Sequence, residues 1–201
     1  KKLIQLVLGA IIIVLGYSLY QSIMTPVRFQ KDQKKRELVV IGRLIDIRSA
    51  QTSYKSMNGR YTSSFDTLIA FVKEGKIPVV KVVADPTDTT FTRTIRDTIA
   101  FTVVQDSLFH GKDYVNFDAG QLRYIPFSGK EEFELGADEI EKGGVDVQVF
   151  EAKALYTQFL KGMDEATIRN LIGKKEQMDK FPGLKVGSLT EPSTDGNWEK
   201  L

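Results

Sequence analysis

Between Leu3 and Met24 the chain carries no charged side chain. These 22 residues, LIQLVLGAIIIVLGYSLYQSIM, make about 33 Å of helix at 1.5 Å per residue, enough to cross a hydrocarbon core of about 30 Å. Leu, Ile and Val fill the middle, where insertion is most favourable, and Tyr17 and Tyr20 lie near one end, where amphipathic rings prefer the interface. Lys1 and Lys2 mark the other end. A cleaved secretory signal starts in the same way, and Gly16-Tyr17-Ser18 is a weak small-x-small site. The expectation is a retained single-pass anchor over residues 1–25, with the lipid bilayer as the first partner. Counting Lys and Arg near each end (Lys1 and Lys2 against Arg28, Lys31, Lys34, Lys35 and Arg36) places the remainder in the cytoplasm. A short basic start before an apolar core is also how a signal-anchor looks, which leaves the N-terminus inside. The reading adopted is an inner (cytoplasmic) membrane anchor with an extracytoplasmic head. Gly9, Ile13 and Gly16 fall on one stripe of this helix, where small residues let a neighbouring helix approach, and Gln5 is an amide that would seek a partner in lipid.

Other classes are excluded by composition. Without cysteine there is no disulfide framework, thiolate zinc site or cysteine nucleophile. Lys and Arg number 28 against 26 Asp and Glu, too even a balance for a dedicated nucleic-acid binder, so no nucleic-acid partner is expected. His110, the single histidine, lies in a predicted turn with no nucleophile motif beside it. Asp138-Glu139-x-Glu141 offers hard oxygens for calcium without the spacing of a known loop. Glu131-Glu132-x-Glu134 reads as a solvated strand face. Asp85-Pro-Thr-Asp88 and Asp195-Gly196-Asn197 read as turns, and the glycines form neither a dinucleotide fingerprint nor a P-loop. No catalytic residue, cofactor or metal is predicted, and the chain is not read as an enzyme.

After Pro26, which would kink a helix or start a new one, residues 26–58 predict a long amphipathic stalk helix. Its apolar stripe runs Val40, Leu44, Ile47, Ala50, Tyr54, Met57 in steps of three and four, widened by Leu38, Ile41 and Ile45. Asp32 and Arg36 are spaced for a weak ion pair. Residues 28–37 are too polar to bury and predict a solvated neck, or a basic contact with anionic lipid. Asn58-Gly59 stops the helix. A shorter helix, Phe65 to Glu74, is capped by Ser63 or Ser64 and ended by Gly75.

From Lys76 the pattern changes to period two. Predicted strands are Val79–Ala84, Phe91 to Val103 in two pieces, Tyr114–Phe117, Leu122–Phe127, Phe133 onward, and Val145 to Phe150 after the turn Glu141-Lys142-Gly143-Gly144. A last helix spans about Met163 to Asp179 with Asp164 as cap, followed by a strand at Leu184–Gly187. A tail bearing Trp198 is predicted to dock on the body. The fold class is α+β: a transmembrane helix, a stalk helix packed on an antiparallel sheet of five to seven strands, and a short C-terminal helix, with residues 59–201 as the head.

The first 75 residues resemble a pilin or pseudopilin. Lys2-Leu3-Ile4-Gln5 lines up with the family's Thr-Leu-Ile-Glu start, with Gln5 in place of the glutamate. Pro26 lies close to a helix proline common in the family. The stretch Ile47 to Tyr54 is similar to its Ala-x-x-x-Tyr segment, Asn58 to Ser64 to its Asn-x-Arg-Tyr turn, and Phe65 to Val72 to the short helix that follows. The resemblance implies a structural or interaction subunit of a cell-envelope assembly, built through contacts with other membrane-protein subunits. Candidate packing residues are Gln5, Gly9, Ile13, Gly16, Val40, Leu44, Ile47 and Tyr54. The alternatives are a bitopic accessory or scaffold subunit of a secretion or membrane-protein complex unrelated to pilins, and a membrane-tethered enzyme.

Overall fold

The computed structural model describes residues 2–84, 94–110 and 117–199. One helix, α1, runs from Lys2 to Asn58. It passes through Pro26 without ending, so of the two predicted outcomes, a kink or a new helix, no new helix begins there. Proline removes one backbone donor and crowds one turn, while continuation keeps the hydrogen bonds of every later turn. Gly59 closes the helix with φ 76 and an N–H bond to the Lys55 carbonyl at 2.8 Å, as a left-handed cap should.

The distal half of α1 is the spine of an α+β head. Val40, Leu44, Ile47 and Ala50 are completely buried, and Tyr54 packs edge-on against Phe71, ring centroids 5.1 Å apart. Phe71 belongs to α2 (Phe65–Glu74), whose Ser64 cap accepts from the Thr67 N–H at 3.3 Å. Met57, Leu38 and Ile45 are exposed, so the buried stripe is narrower than the periodicity suggests. Between α1 and α2 the turn is clamped by Gln51, a fully buried amide. Its nitrogen donates to the Thr62 carbonyl at 2.6 Å and its oxygen accepts from the Thr62 N–H at 3.1 Å. Tyr61, beside this clamp, stacks at 4.7 Å on Phe150 beneath the Lys55 ammonium.

Among the described residues the strands form two antiparallel sheets rather than one. A ribbon pairs β1 (Lys76–Ala84) with β2 (Thr94–Val103), with a bulge at Val79/Val80. A second sheet has the order β3-β4-β5: Glu134–Lys142, Val145–Leu155 and Gly183–Gly187. Along the chain α3 (Val104–Leu108) follows β2, and α4 (Tyr156–Phe159) and α5 (Glu165–Glu176) connect β4 to β5. The β3–β4 hairpin turns at Gly143 and Gly144, with φ 64 and 77, a mirror-image turn that glycine adopts freely.

On the core side of the three-stranded sheet stand Phe150, Ala152 and Ala154 of β4, paired across to Val186 and Leu184 of β5. The opposite face carries Glu151, Lys153, Lys185 and Glu134, joined by ion pairs at 2.8 Å (Lys153–Glu134) and 2.9 Å (Lys185–Glu151). Val145, at the start of β4, is exposed. Phe150 is fully buried and packs against Tyr61. Gly187, with φ 75, lies where a Cβ would strike the Phe150 carbonyl, so β5 can approach β4 this closely only with glycine there.

Two further expectations need correcting. Leu122–Phe127 is not a strand. Ala119–Arg123 forms a 3₁₀ turn capped by Asp118, whose carboxylate accepts from the Gly120 N–H at 2.9 Å. Tyr124 keeps a single bridge to Glu132, and residues 126–129 turn around the buried Ser128 hydroxyl. Local side-chain bonds thus compete successfully with a sheet ladder. The neck is not free either. Phe29 is buried, and one Arg36 nitrogen donates to the carbonyls of Phe159 (3.0 Å) and Lys161 (2.9 Å) instead of pairing with Asp32. Burial and the adjacent Glu37 carboxylate push the Tyr156 phenol well above its ordinary range. The predicted segments 85–88, 91–93 and 114–116 lie outside the described residues.

The C-terminal tail docks as expected. Asn197 accepts from the Lys185 N–H at 3.1 Å and donates to the Gly183 carbonyl at 2.9 Å, and Trp198 packs against the core. Arg48 of α1 meets Glu199 at 2.9 Å. The Gly196 N–H and then Arg48 hold the Glu199 carboxyl below its ordinary value of 4.5. Docking stability from this group is therefore present above 4.5 and is lost as pH falls through the lower folded value. Acidification should shift Trp198 emission to the red with a midpoint below 4.5. Glu199→Gln should abolish that step, and a step unchanged in the variant would assign it to another group.

Candidate functional site

Two surfaces of α1 have no counterpart in an ordinary soluble head. The first is the N-terminal segment itself. From Leu6 to Ile23 its apolar side chains are exposed, with Ile13 at 73%. Its most apolar stretch has a mean hydropathy of 1.9 and none of it is buried inside the protein. Two side chains at its far end bond within the helix: Gln21 donates to the Tyr17 hydroxyl at 2.8 Å, and the Thr25 hydroxyl to the Gln21 carbonyl at 2.7 Å. By length and composition this helix can cross a membrane.

Gln5 is exposed, and a methyl group added at Gly9 or Gly16 would meet nothing within 4 Å. The predicted stripe of Gly9, Ile13 and Gly16 is therefore open. Val40, Leu44, Ile47 and Tyr54 are a different case. All four pack on the chain's own head: Val40, Leu44 and Ile47 are fully buried, and Tyr54 is partly buried.

The second surface was missed by the sequence reading. Leu38 (68% exposed), Gly42 and Ile45 (36%) lie on the side of α1 that the head leaves uncovered, and a side chain at Gly42 would also meet nothing. Leu38 is 29 positions after Gly9 and Ile45 is 36 positions after it, about eight and ten turns at 3.6 residues each. The outer stripe of the distal half of α1 thus continues the stripe of the apolar N-terminal segment. The signal was present in Leu38 and Ile45, which were assigned to widening the inner face.

The head adds an exposed apolar ribbon, with Val80 on β1 and Ile99 and Phe101 on β2. His110 is exposed just beyond α3. Among the described residues no three His, Asp or Glu side chains converge. Asp138, Glu139 and Glu141 stand along β3, where neighbouring side chains point to opposite faces. Glu131, Glu132 and Glu134 are each ion-paired, to Lys161, Arg123 and Lys153. Asp195-Gly196-Asn197 serves the tail contact described above.

No protein-family model matches this chain, and neither a curated protein nor a solved structure is significantly similar to it.

Proposed function

We propose that the chain is a single-pass structural or interaction subunit of a cell-envelope assembly, organised like a pseudopilin, with its head on the extracytoplasmic side of the inner membrane. The observation that carries this reading is the uncovered stripe of α1, which runs from Gly9 through Gly16 to Leu38 and Ile45. A monomer gains nothing from exposed Leu and Ile on the solvated part of a stalk, whereas a neighbouring helix laid along the stripe would cover them. Small residues at Gly9, Gly16 and Gly42 permit close approach of that helix. The partners are other membrane-protein subunits, copies of this chain or different ones.

The exposed ribbon of Val80, Ile99 and Phe101 favours a second reading, an accessory or scaffold subunit unrelated to pilins that recruits its partner through the head. Crosslinking in native membranes separates the two. Cysteine placed at Ile13 or at Gly42 should form crosslinked species in high yield, and cysteine at Ile99 should not. The reverse pattern would transfer the contact to the ribbon. Gly16→Leu together with Gly42→Leu should reduce the crosslinked fraction by about tenfold, the equivalent of ~1.4 kcal/mol of lost helix packing.

A further inference from the structure

Where the anchor meets the head there is a groove of about 640 Å³. One wall is α1, with Asp32, Lys35, Arg36 and Val39, and the other is formed by Phe127 and Met163. Phe29 closes the end nearest the anchor. Arg28, the residue before it, is the first charged side chain after the apolar run. If the run spans a bilayer, the mouth of the groove therefore opens at headgroup depth, and the inference that follows rests on that reading. Side chains on a helix lean toward its N-terminus, so the exposed Lys35 leans back toward the bilayer, while Arg36 is held at the groove by the Phe159 and Lys161 carbonyls.

The charges in the groove select among headgroups. Asp164 also borders it, but its carboxylate is committed to capping α5 through the Thr167 N–H at 2.7 Å. Asp32 and Lys35 are exposed and form no hydrogen bond or ion pair among the described residues. Arg36 uses one nitrogen on two carbonyls, and a guanidinium has further N–H groups to offer. The ligand therefore meets two cations and one free carboxylate within a single helical turn. A phosphodiester alone would satisfy the cations but face Asp32. A choline group cannot donate a hydrogen bond to Asp32, and the Phe127 ring is already covered by Arg36 at 5.2 Å from its centroid. Phe127 holds this position at φ 67, a strained conformation for a bulky residue, while half exposed.

We infer that the groove binds a phosphatidylethanolamine-type lipid of the adjoining leaflet, its phosphate held by Lys35 and Arg36 and its ammonium by Asp32. Phe29, at the end of the groove nearest the apolar run, then contacts the glycerol and the first methylenes.

The test uses the full chain in nanodiscs containing equal parts of phosphatidylethanolamine, phosphatidylcholine and phosphatidylglycerol, with native mass spectrometry of the lipids retained after release. The ethanolamine lipid should be retained about tenfold over the choline lipid, the equivalent of one charge-assisted hydrogen bond. Asp32→Asn should bring the two to parity, and Lys35→Gln should lower retention of all three. Both positions are exposed, so unchanged thermal unfolding of the head will show that the variants fold. Three results would overturn the inference: equal retention of the three lipids, preference for phosphatidylglycerol that rises in Asp32→Asn, or a second copy of the chain bound in place of lipid. A chain that enters nanodiscs but retains no lipid refutes the groove alone. One that does not enter them refutes the anchor as well.

Discussion

With Ile12 and Leu15 both replaced by aspartate, the chain should leave the carbonate-resistant membrane pellet for the supernatant. The apolar run holds twelve Leu, Ile and Val residues. At about 0.3–0.6 kcal/mol each near the helix centre, these contribute on the order of 5 kcal/mol to insertion, before Gln5, Ser18, Gln21 and Ser22 subtract from it. Two aspartates near the middle cost about 2.5–3.5 kcal/mol each and also remove two favourable residues. The sign of insertion therefore reverses. Nothing inside the protein competes for these side chains, because Ile12 and Leu15 are both exposed. The swap Ile12→Leu with Leu15→Ile preserves apolarity and should leave the pellet fraction unchanged. Aspartate variants that remain carbonate-resistant would show that something other than this helix holds the chain to the membrane.

Leu44→Ala should be the most damaging conservative change in the stalk. Leu44 is fully buried where α1 meets the head. Removing three carbons there costs about 3 kcal/mol in lost transfer energy and residual cavity. For a head of this size that lowers the unfolding midpoint by roughly 6–12 °C. Leu38→Ala, six residues earlier on the same helix but exposed, should change stability by less than about 0.5 kcal/mol. Near-UV dichroism is the appropriate probe, since it follows aromatic packing rather than the long helix. Equal losses in the two variants would mean that the stalk is packed on both faces.

These two expectations differ in how far the sequence alone supports them. A helix long and apolar enough to cross a bilayer could be read directly, because that capacity demands only length and the absence of charge. Elements governed by neighbouring residues were also legible: the Gly59 cap, the Ser64 and Asp164 caps, the Gly143-Gly144 turn and the inner stripe from Val40 to Ala50. Each depends on chemistry within a turn or two of chain.

Other features depended on which segments met in space. Whether Leu38 and Ile45 face the head or the outside follows from how wide a surface β4, β5 and α2 present to α1, and periodicity cannot report that width. The docking of Arg36 depends on carbonyls more than 120 residues away. The division into two sheets turns on local bonds at Asp118 and Ser128 outcompeting strand pairing. The lipid groove exists only because the turn at Phe127 and the loop at Met163 arrive beside Asp32, Lys35 and Arg36. By itself the sequence determined where the chain can enter lipid and where its helices start and stop, since hydropathy and capping are short-range. The tertiary structure alone decided which polar residues were covered and which apolar ones were left open, since that depends on long-range packing partners.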